Sequence, residues 1–289
     1  MQINTKIKKK ENKISLLIQG PINVNSFLAI KFYQEIFDDI IYSTYLDENN
    51  YLIKTFNYEK IKFVYSNKNE KNIINPSNIF FQALTTLKGI ENCQHDFVIK
   101  IRSDELYINI KNILEHIDYE KINFSNIFFR HFSFYPYHIS DHIIAGSKDI
   151  LKKSFSEIMH YCKEKDSTSL FDANPYKELG QYYFLNLTPE QIISIFLLKN
   201  LDEKLKVDLH DTKQNIELFH KYFNIINIEK LGPYLISMRN ENKRGRIYYS
   251  NYQETLHYNC FDCDSIEEYS LLDVSKVHKK IYKSNSSKF

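Results

Sequence analysis

The sequence predicts an α/β fold in which a mixed sheet is flanked by helices, and three observations support this. Short apolar runs alternate with helical patterns over residues 14–200, a rhythm typical of βαβ units. The apolar runs are continuous rather than alternating, as in strands that are buried on both faces. The 289-residue chain is 43% hydrophobic and 15% aromatic, so it has enough apolar side chains for a large core.

Five apolar runs predict the strands, which are residues 14–18, 39–45, 61–65, 96–101 and 127–132. The first run is followed by Gln19-Gly20-Pro21, a combination typical of a tight turn. A weaker strand signal lies near residues 234–237.

Helices are predicted between these runs from apolar residues that recur every three or four positions. One begins at Asn25 or Ser26, and another follows Asn75-Pro76, which has the form of an N-cap with proline at the first helical position. Thr188-Pro189-Glu190-Gln191 is the signature of a capping box. The other predicted helices are residues 110–117, 151–162 and 215–223.

The predicted organisation has four parts. A basic N-terminal extension spans residues 1–13, and the main domain spans residues 14–200. Residues 201–275 form a mostly helical C-terminal appendage that packs on the same domain, and residues 276–289 form a flexible basic tail. The sequence contains no internal repeat and no clear linker.

Charge and composition exclude several classes of protein. A net charge of +2 and a pI of about 8.1 fall short of the basicity of a nucleic-acid binder, so no nucleic-acid partner is expected. The lysines between Lys276 and Lys283 predict either a solvated tail or a peripheral contact with an anionic membrane. No apolar run is long enough for a membrane span or follows the N-terminal lysines as a signal peptide would, so we expect a cytoplasmic protein.

Common catalytic motifs are absent from the sequence. It has no GxGxxG after the first strand and no GxxxxGK[ST], which argues against dinucleotide redox and P-loop chemistry. GxSxG and HExxH are also missing. Cys260-Phe-Asp-Cys263 has partial zinc spacing, but no second ligand pair completes a four-ligand set.

The fourth strand ends abruptly in charged residues and is the strongest functional signal. It delivers Arg102, Asp104 and Glu105 to the carboxyl edge of the sheet, where open α/β sheets bind ligands. Carboxylates there can hold a divalent cation that bridges a diphosphate. The simpler alternative is a solvated strand end with a surface ion pair.

Five short motifs occur in a fixed order along the chain. They are Ile18-Gln-Gly-Pro-Ile22, Ser43-Thr-Tyr45, Lys100-Ile-Arg-Ser-Asp104, Ser140-Asp-His142 before Ala145-Gly146, and Pro189-Glu-Gln191. In this order they resemble the WavE-type lipopolysaccharide synthesis proteins, a bacterial group considered to be glycosyltransferases with a GT-A-like nucleotide-diphospho-sugar transferase fold. The resemblance covers roughly residues 14–200.

The resemblance implies a nucleotide-sugar site. It places Gln19, Gly20 and Pro21 in the nucleotide pocket, with Ser43 and Thr44 beside the nucleotide and Arg102 paired with a phosphate. Lys100 and Ser103 are the other implied nucleotide-sugar-binding residues. The alternative for Gln19-Gly20-Pro21 is an ordinary strand-to-helix turn. The alternative for Ser43 and Thr44 is that their hydroxyls only cap the next turn.

Asp104 matches the metal-binding aspartate of the glycosyltransferase DxD motif, and the implied cofactor is Mn²⁺ or Mg²⁺. This sequence departs from DxD because the residue two positions before Asp104 is Arg102. An arginine there can neutralise part of the charge itself, which puts metal dependence in doubt.

Two further carboxylates are the candidate catalytic residues. Asp141 precedes the small residues Ala145-Gly146, a location that suits a general base for an acceptor hydroxyl. Capping of a turn is its alternative role. Glu190 is the second candidate, although a carboxylate in a first helical turn also stabilises the helix dipole without catalysis. His131, His138 and His142 are expected to be packed, hydrogen-bonded residues.

The sequence thus predicts a cytoplasmic glycosyltransferase that moves a sugar from a nucleotide-activated donor to a bacterial surface glycan or glycolipid. Two alternatives stay open. A nucleotidyltransferase that makes the activated sugar would need a triphosphate-binding loop after the first strand, where residues 19–22 offer no basic side chain. A non-catalytic protein that stacks Tyr and Phe on glycans is the other alternative.

Overall fold

The computed structural model describes nine segments of the chain: residues 13–22, 30–46, 61–68, 78–107, 110–125, 137–163, 188–205, 212–226 and 234–236. Nine strands occur in them. They are β1 (Ile14–Gln19), β2 (Asp39–Tyr45), β3 (Ile61–Ser66), β4 (Phe97–Arg102), β5 (Glu105–Tyr107), β6 (Ile122–Ser125), β7 (Ile143–Ser147), β8 (Phe223–Ile226) and β9 (Tyr234–Ile236).

Five helices of the described segments connect or flank these strands. They are α1 (Ile79–Glu91), α2 (Lys111–His116), α3 (Lys148–Lys163), α4 (Pro189–Leu201) and α5 (Thr212–Tyr222). Residues 30–33 are also helical.

Seven strands form one mixed sheet in the order β3-β2-β1-β4-β7-β6-β8. The first four run parallel, so their carboxyl ends meet at one edge. Strand β7 is antiparallel to both β4 and β6, and β8 is parallel to β6. A separate antiparallel pair joins β5 to β9.

The continuous apolar strands are explained by burial on both faces. Leu17 of β1 packs into a core with residues of α1, α3 and α4. Its neighbours Leu16 and Ile18 face the opposite way and join a second core that contains Ile113 of α2. Because side chains alternate along a strand, one apolar run supplies both layers. The predicted mixed α/β fold with flanking helices is confirmed.

The start of helix α4 is set by a capping box in the local sequence. Thr188 Oγ1 accepts a hydrogen bond from Gln191 N at 3.3 Å, and Gln191 Oε1 accepts one from Thr188 N at 3.1 Å. This is the capping box predicted from the sequence. It fixes the first turn of α4, and with it Glu190.

Other element predictions had mixed outcomes. The strands predicted at 14–18, 39–45, 61–65 and 96–101 are present, as are the helices near 110–117, 151–162 and 215–223. The strand predicted at 127–132 and the Asn75-Pro76 helix start lie outside the described residues. Strands β5, β6, β7 and β8 were not predicted. The described part of residues 201–275 includes β8, which extends the main sheet past residue 200. The four-part division itself stays a prediction.

Candidate functional site

A cleft of about 730 Å³ opens at the carboxyl edge of the parallel strands. Its walls come from the turn after β1, the ends of β2 to β4, the first half of α1, the segment before β7 and the start of α4. The lining residues are Gln19, Gly20, Pro21, Tyr45, Lys68, Asn78, Phe81, Gln82, Arg102, Ser103, Asp104, Asp141, Thr188, Pro189 and Glu190.

The floor of the cleft is made where the ends of β1 and β4 touch. Ser103 N donates to Gln19 O at 2.9 Å, and Gly20 N donates to Ser43 O at 3.0 Å. Gly20 has φ +135°, and a Cβ on it would collide with the Ser103 hydroxyl. Only glycine adopts this backbone conformation without strain while β4 passes so close.

Arg102 and Asp104 form a bidentate ion pair on one wall. Arg102 Nε donates to Asp104 Oδ1 at 3.0 Å, and Nη2 donates to Oδ2 at 3.0 Å. Arg102 Nε also lies 3.4 Å from Glu105 Oε1. Burial opposes the charge on Arg102, but Asp141 and Asp104 outweigh it, so the pKa of the guanidinium lies well above its ordinary value.

Asp141 lies on the other side of the same guanidinium. Its carboxylate accepts a hydrogen bond from Gln82 Nε2 at 2.7 Å and contacts Arg102 Nη1 at 3.4 and 3.5 Å. Beneath it, the buried Lys100 ammonium donates to the Asp141 backbone carbonyl. Burial tends to raise the pKa of Asp141, but Arg102 and Lys100 hold it well below its ordinary value, so this carboxyl is ionised at neutral pH.

A buried network supports this wall from behind. The Glu105 carboxylate accepts a hydrogen bond from the Tyr107 hydroxyl at 2.6 Å and contacts His142 Nδ1 through its other oxygen. Tyr107 N in turn donates to the Tyr33 hydroxyl at 3.0 Å. With three donors around it, counting Arg102, the buried Glu105 is compensated without solvent.

Glu190 reaches the cleft from the first turn of α4. Its Oε2 lies 3.8 Å from His138 Nε2, and its side chain is 28% exposed. Both His138 and His142 are buried and contact carboxylates, in line with the packed role expected for them, whereas His131 lies outside the described residues.

The structure brings most of the predicted site residues together, and three of them stand apart from the cleft wall. Gln19, Gly20, Pro21, Arg102, Ser103, Asp104, Asp141 and Glu190 line the cleft. Ser43, Thr44 and Lys100 are buried instead. The Ser43 hydroxyl donates to Thr85 O at 2.6 Å, which anchors α1 on β2.

Sequence reasoning missed one side of the cleft. Tyr45, Lys68, Asn78, Phe81 and Gln82 line it, and Lys68 Nζ sits 4.5 Å from the centre of the Tyr45 ring. Gln82 was detectable in principle, since it is a polar residue within the mostly apolar first half of α1. Lys68 carried no such signal, because lysines are common throughout this chain.

The carboxylates that line the cleft are not arranged as a divalent-cation site. Both oxygens of Asp104 are taken by the Arg102 guanidinium. Within the described segments, no group of three Asp, Glu, His or Cys side chains is arranged to hold a metal ion. Hard cations need several oxygen ligands at once, so the expected Mn²⁺ or Mg²⁺ is not accommodated by these residues as they stand.

Two features that the sequence singled out, the basic tail at 276–289 and the Cys260/Cys263 pair, lie outside the described residues. Among the helices of the described segments, none combines the length and apolarity that crossing a membrane requires.

Comparisons with known proteins give a distant likeness in structure alone. No protein-family model matches the chain, and no curated protein matches it. Similar solved structures include HddC from Yersinia pseudotuberculosis, with 12% identity over 48% of this chain and 79% of that chain and a TM-score of 0.33. Another is the 4-diphosphocytidyl-2C-methyl-D-erythritolsynthase from Anaerococcus prevotii DSM 20548, with 12% identity over 74% and 86% and a TM-score of 0.35. Likeness this weak assigns no activity, and the WavE-type resemblance stays a prediction.

Proposed function

We propose that the protein is a glycosyltransferase that takes a nucleotide-diphosphate sugar as donor. One observation carries this proposal: Arg102, Asp141 and Glu190 come from three distant segments and line one cleft at the carboxyl edge of the parallel strands. A fixed cation for a diphosphate and carboxylates for an acceptor hydroxyl are the two groups that sugar transfer needs.

Arg102 is the proposed contact for the donor diphosphate. Its guanidinium is planar and permanently charged, and it matches phosphate oxygens in a fork. Negative charge builds on the diphosphate as the glycosidic bond breaks, so a cation already in position stabilises the transition state more than the ground state. The Gln19-Gly20-Pro21 turn would let the backbone approach the nucleoside, because Gly20 has no side chain.

Asp141 is the proposed acceptor-side base. Its contacts with Arg102 are long, at 3.4 and 3.5 Å, whereas its bond with Gln82 is 2.7 Å. A diphosphate bound to Arg102 would therefore offset part of the positive charge next to Asp141, which would raise the pKa of this carboxylate and make it a better proton acceptor. Glu190, which is partly exposed at the other end of the cleft, is the second carboxylate available to the acceptor.

Nucleotidyl transfer is the second candidate, and Lys68 is the observation that favours it. This lysine lines the same cleft as Arg102, so a triphosphate would find a second cation there even though the turn after β1 has none. The reaction would join a nucleoside triphosphate and a sugar phosphate and release pyrophosphate.

Product analysis separates these functions. The purified chain is incubated with a panel of nucleotide sugars, and release of the nucleoside diphosphate is measured with and without glycan acceptors. A parallel set supplies nucleoside triphosphates with sugar 1-phosphates, and pyrophosphate is measured. Diphosphate release supports glycosyl transfer, and pyrophosphate release supports nucleotidyl transfer. If neither nucleoside diphosphate nor pyrophosphate is released and the protein binds on a glycan array, it is a glycan-binding protein without catalysis.

A membrane-bound glycolipid is the proposed class of acceptor, with the cytoplasm as the location. The support is the set of lysines between Lys276 and Lys283, since each cation near an anionic surface contributes about 1 kcal/mol. Sedimentation with vesicles tests it: the full chain should pellet with anionic but not neutral lipid, whereas a chain ending at Ser275 should stay in solution. Equal pelleting of both chains would remove the tail from the mechanism.

A further inference from the structure

Arg102 uses only part of its hydrogen-bonding capacity on the protein. One edge of the guanidinium, Nε with Nη2, makes the bidentate pair with Asp104 at 3.0 Å. The end edge carries the remaining N–H bonds of Nη1 and Nη2. Within the described residues, this edge makes two long contacts, both from Nη1 to the Asp141 carboxylate. The side chain is 20% exposed and lines the cleft.

We propose that Asp104 orients Arg102 rather than binding a metal ion, and that the end edge of Arg102 binds the donor diphosphate without a divalent cation. The inference rests on the proposed function and specifies how that site handles its charged substrate. Asp104 is a positioning residue in this scheme, because it acts on the diphosphate only through Arg102.

The geometry of Asp104 favours this role. Hard cations sit about 2.0–2.6 Å from carboxylate oxygens and need several such ligands together. Here both oxygens of Asp104 accept hydrogen bonds from one guanidinium. A cation at Asp104 would have to use the lone pairs that this fork leaves, and it would meet the positive charge of Arg102 at the same place.

The fork also sets the direction in which the end edge of the guanidinium points. A bidentate pair fixes the plane of the guanidinium as well as its position, which a single hydrogen bond does not. Glu105 is 3.4 Å from Nε and is itself held by Tyr107 and His142. Arg102 is thus clamped from the Asp104 side, and its other edge is left for a ligand with paired oxygens.

Calorimetric titration with inorganic pyrophosphate tests the inference on the full chain. The wild-type protein is titrated in EDTA and again in Mn²⁺ or Mg²⁺, and Mn²⁺ is also titrated alone. We expect pyrophosphate to bind in EDTA, and Mn²⁺ alone to give no binding that depends on Asp104. Pyrophosphate binding that occurs only with the metal would overturn the inference, as would a complete lack of pyrophosphate binding.

Three variants sharpen this test. Arg102→Lys keeps the charge but loses the fork, so its affinity for pyrophosphate in EDTA should fall roughly tenfold to a hundredfold. Asp104→Asn keeps one acceptor oxygen for Arg102, so its affinity for pyrophosphate should fall less than that of Arg102→Lys. The effect of added metal on pyrophosphate affinity should be the same as in the wild type. The control is Lys152→Ala, an exposed cation on α3 whose loss should leave binding unchanged. Melting curves show which variants are folded.

The metal dependence of pyrophosphate affinity distinguishes the possible roles of Asp104, because loss of a purely structural residue would not change it. If Asp104 is a metal ligand, Asp104→Asn abolishes Mn²⁺ binding and makes pyrophosphate affinity insensitive to metal, which overturns the inference. If nucleotide sugars are never turned over although pyrophosphate binds in EDTA, the proposed function fails while the assignment of Arg102 stands. If nucleotide sugars are turned over only when a divalent metal is present, the proposed function stands and the metal-free role of Arg102 fails.

Discussion

The ends of β4 and β2 lie in the same edge of the sheet, but they play different parts in the molecule. At the end of β4, Arg102 and Asp104 line the cleft in an ion pair. At the end of β2, Ser43 and Thr44 are buried, and Ser43 donates to a carbonyl of α1. A hydroxyl can be buried with one local acceptor, whereas a charge needs a partner of opposite sign or solvent. The comparison shows that the charged end of β4 stays at the cleft, whereas the two hydroxyl residues at the end of β2 are buried and Tyr45 lines the cleft in their place.

The largest effect is expected at Asp141, which faces the end of β4. Asp141→Asn removes the proposed base and keeps the shape, so turnover should fall roughly 10²- to 10⁴-fold, the usual contribution of general acid–base catalysis. Initial rates with the nucleotide sugar that proves active measure it. Nucleotide affinity should not fall, because Asp141 contacts the edge of Arg102 that is proposed to bind the diphosphate. Asp149→Asn, on an exposed carboxylate of α3, is the matched control. Parallel losses of rate and affinity would mark Asp141 as a structural cap.

The contact between β1 and β4 should be the next most sensitive feature. Gly20→Ala combines the φ of +135° with a collision against the Ser103 hydroxyl, so it should destabilise the fold by about 1–3 kcal/mol. Denaturant unfolding measures the change. Gly146→Ala is the control, since its Cβ would meet only the flexible end of Ile122 and no positive φ applies. Equal costs at the two glycines would refute the backbone argument.

The two strand ends should respond differently to loss of their polar groups. Ser43→Ala removes one buried hydrogen bond to Thr85 O, so the free energy of unfolding should fall by about 1 kcal/mol. Asp104→Asn should act chiefly on ligand affinity, because its carboxylate orients a side chain at the cleft. Melting temperatures and pyrophosphate titrations on both variants form the comparison. A larger loss of pyrophosphate affinity for Ser43→Ala than for Asp104→Asn would contradict the different roles assigned to the two strand ends.

The smallest effect concerns pH. The pKa of Asp141 is depressed in the fold by Arg102 and Lys100, which outweigh burial, so its ionised form contributes stability that is fully present above the ordinary carboxyl pKa of about 4. That contribution is lost as the pH falls from there toward the depressed value. Unfolding measured from pH 6 to pH 3 should therefore show a steeper loss for the wild type than for Asp141→Asn. Parallel curves would contradict the pairing with Arg102.

Local patterns were enough for much of the architecture. Continuous apolar runs predicted β1 to β4, and the Thr188 capping box predicted where α4 begins. Strand β6 was missed because Ile122-Asn-Phe-Ser125 is short and half polar. Its Asn123 side chain is hydrogen-bonded to Ala145 O of β7 and to Asn224 Nδ2 of β8, partners that only the folded sheet provides. The addition of β8 to the same sheet was equally invisible, since pairing between distant strands leaves no local pattern.

For the site, the sequence determined which residues carry charge at the end of β4 and which glycine permits the turn after β1, because strand period and backbone sterics are local properties. Only the tertiary structure decided their partners. It set the fork of Arg102 on Asp104, the approach of Asp141 from a segment 39 residues away, and the inclusion of Gln82 and Lys68 in the cleft. Charges find their partners through space, and the energy of a buried charge depends on groups that the chain brings near it only when it folds.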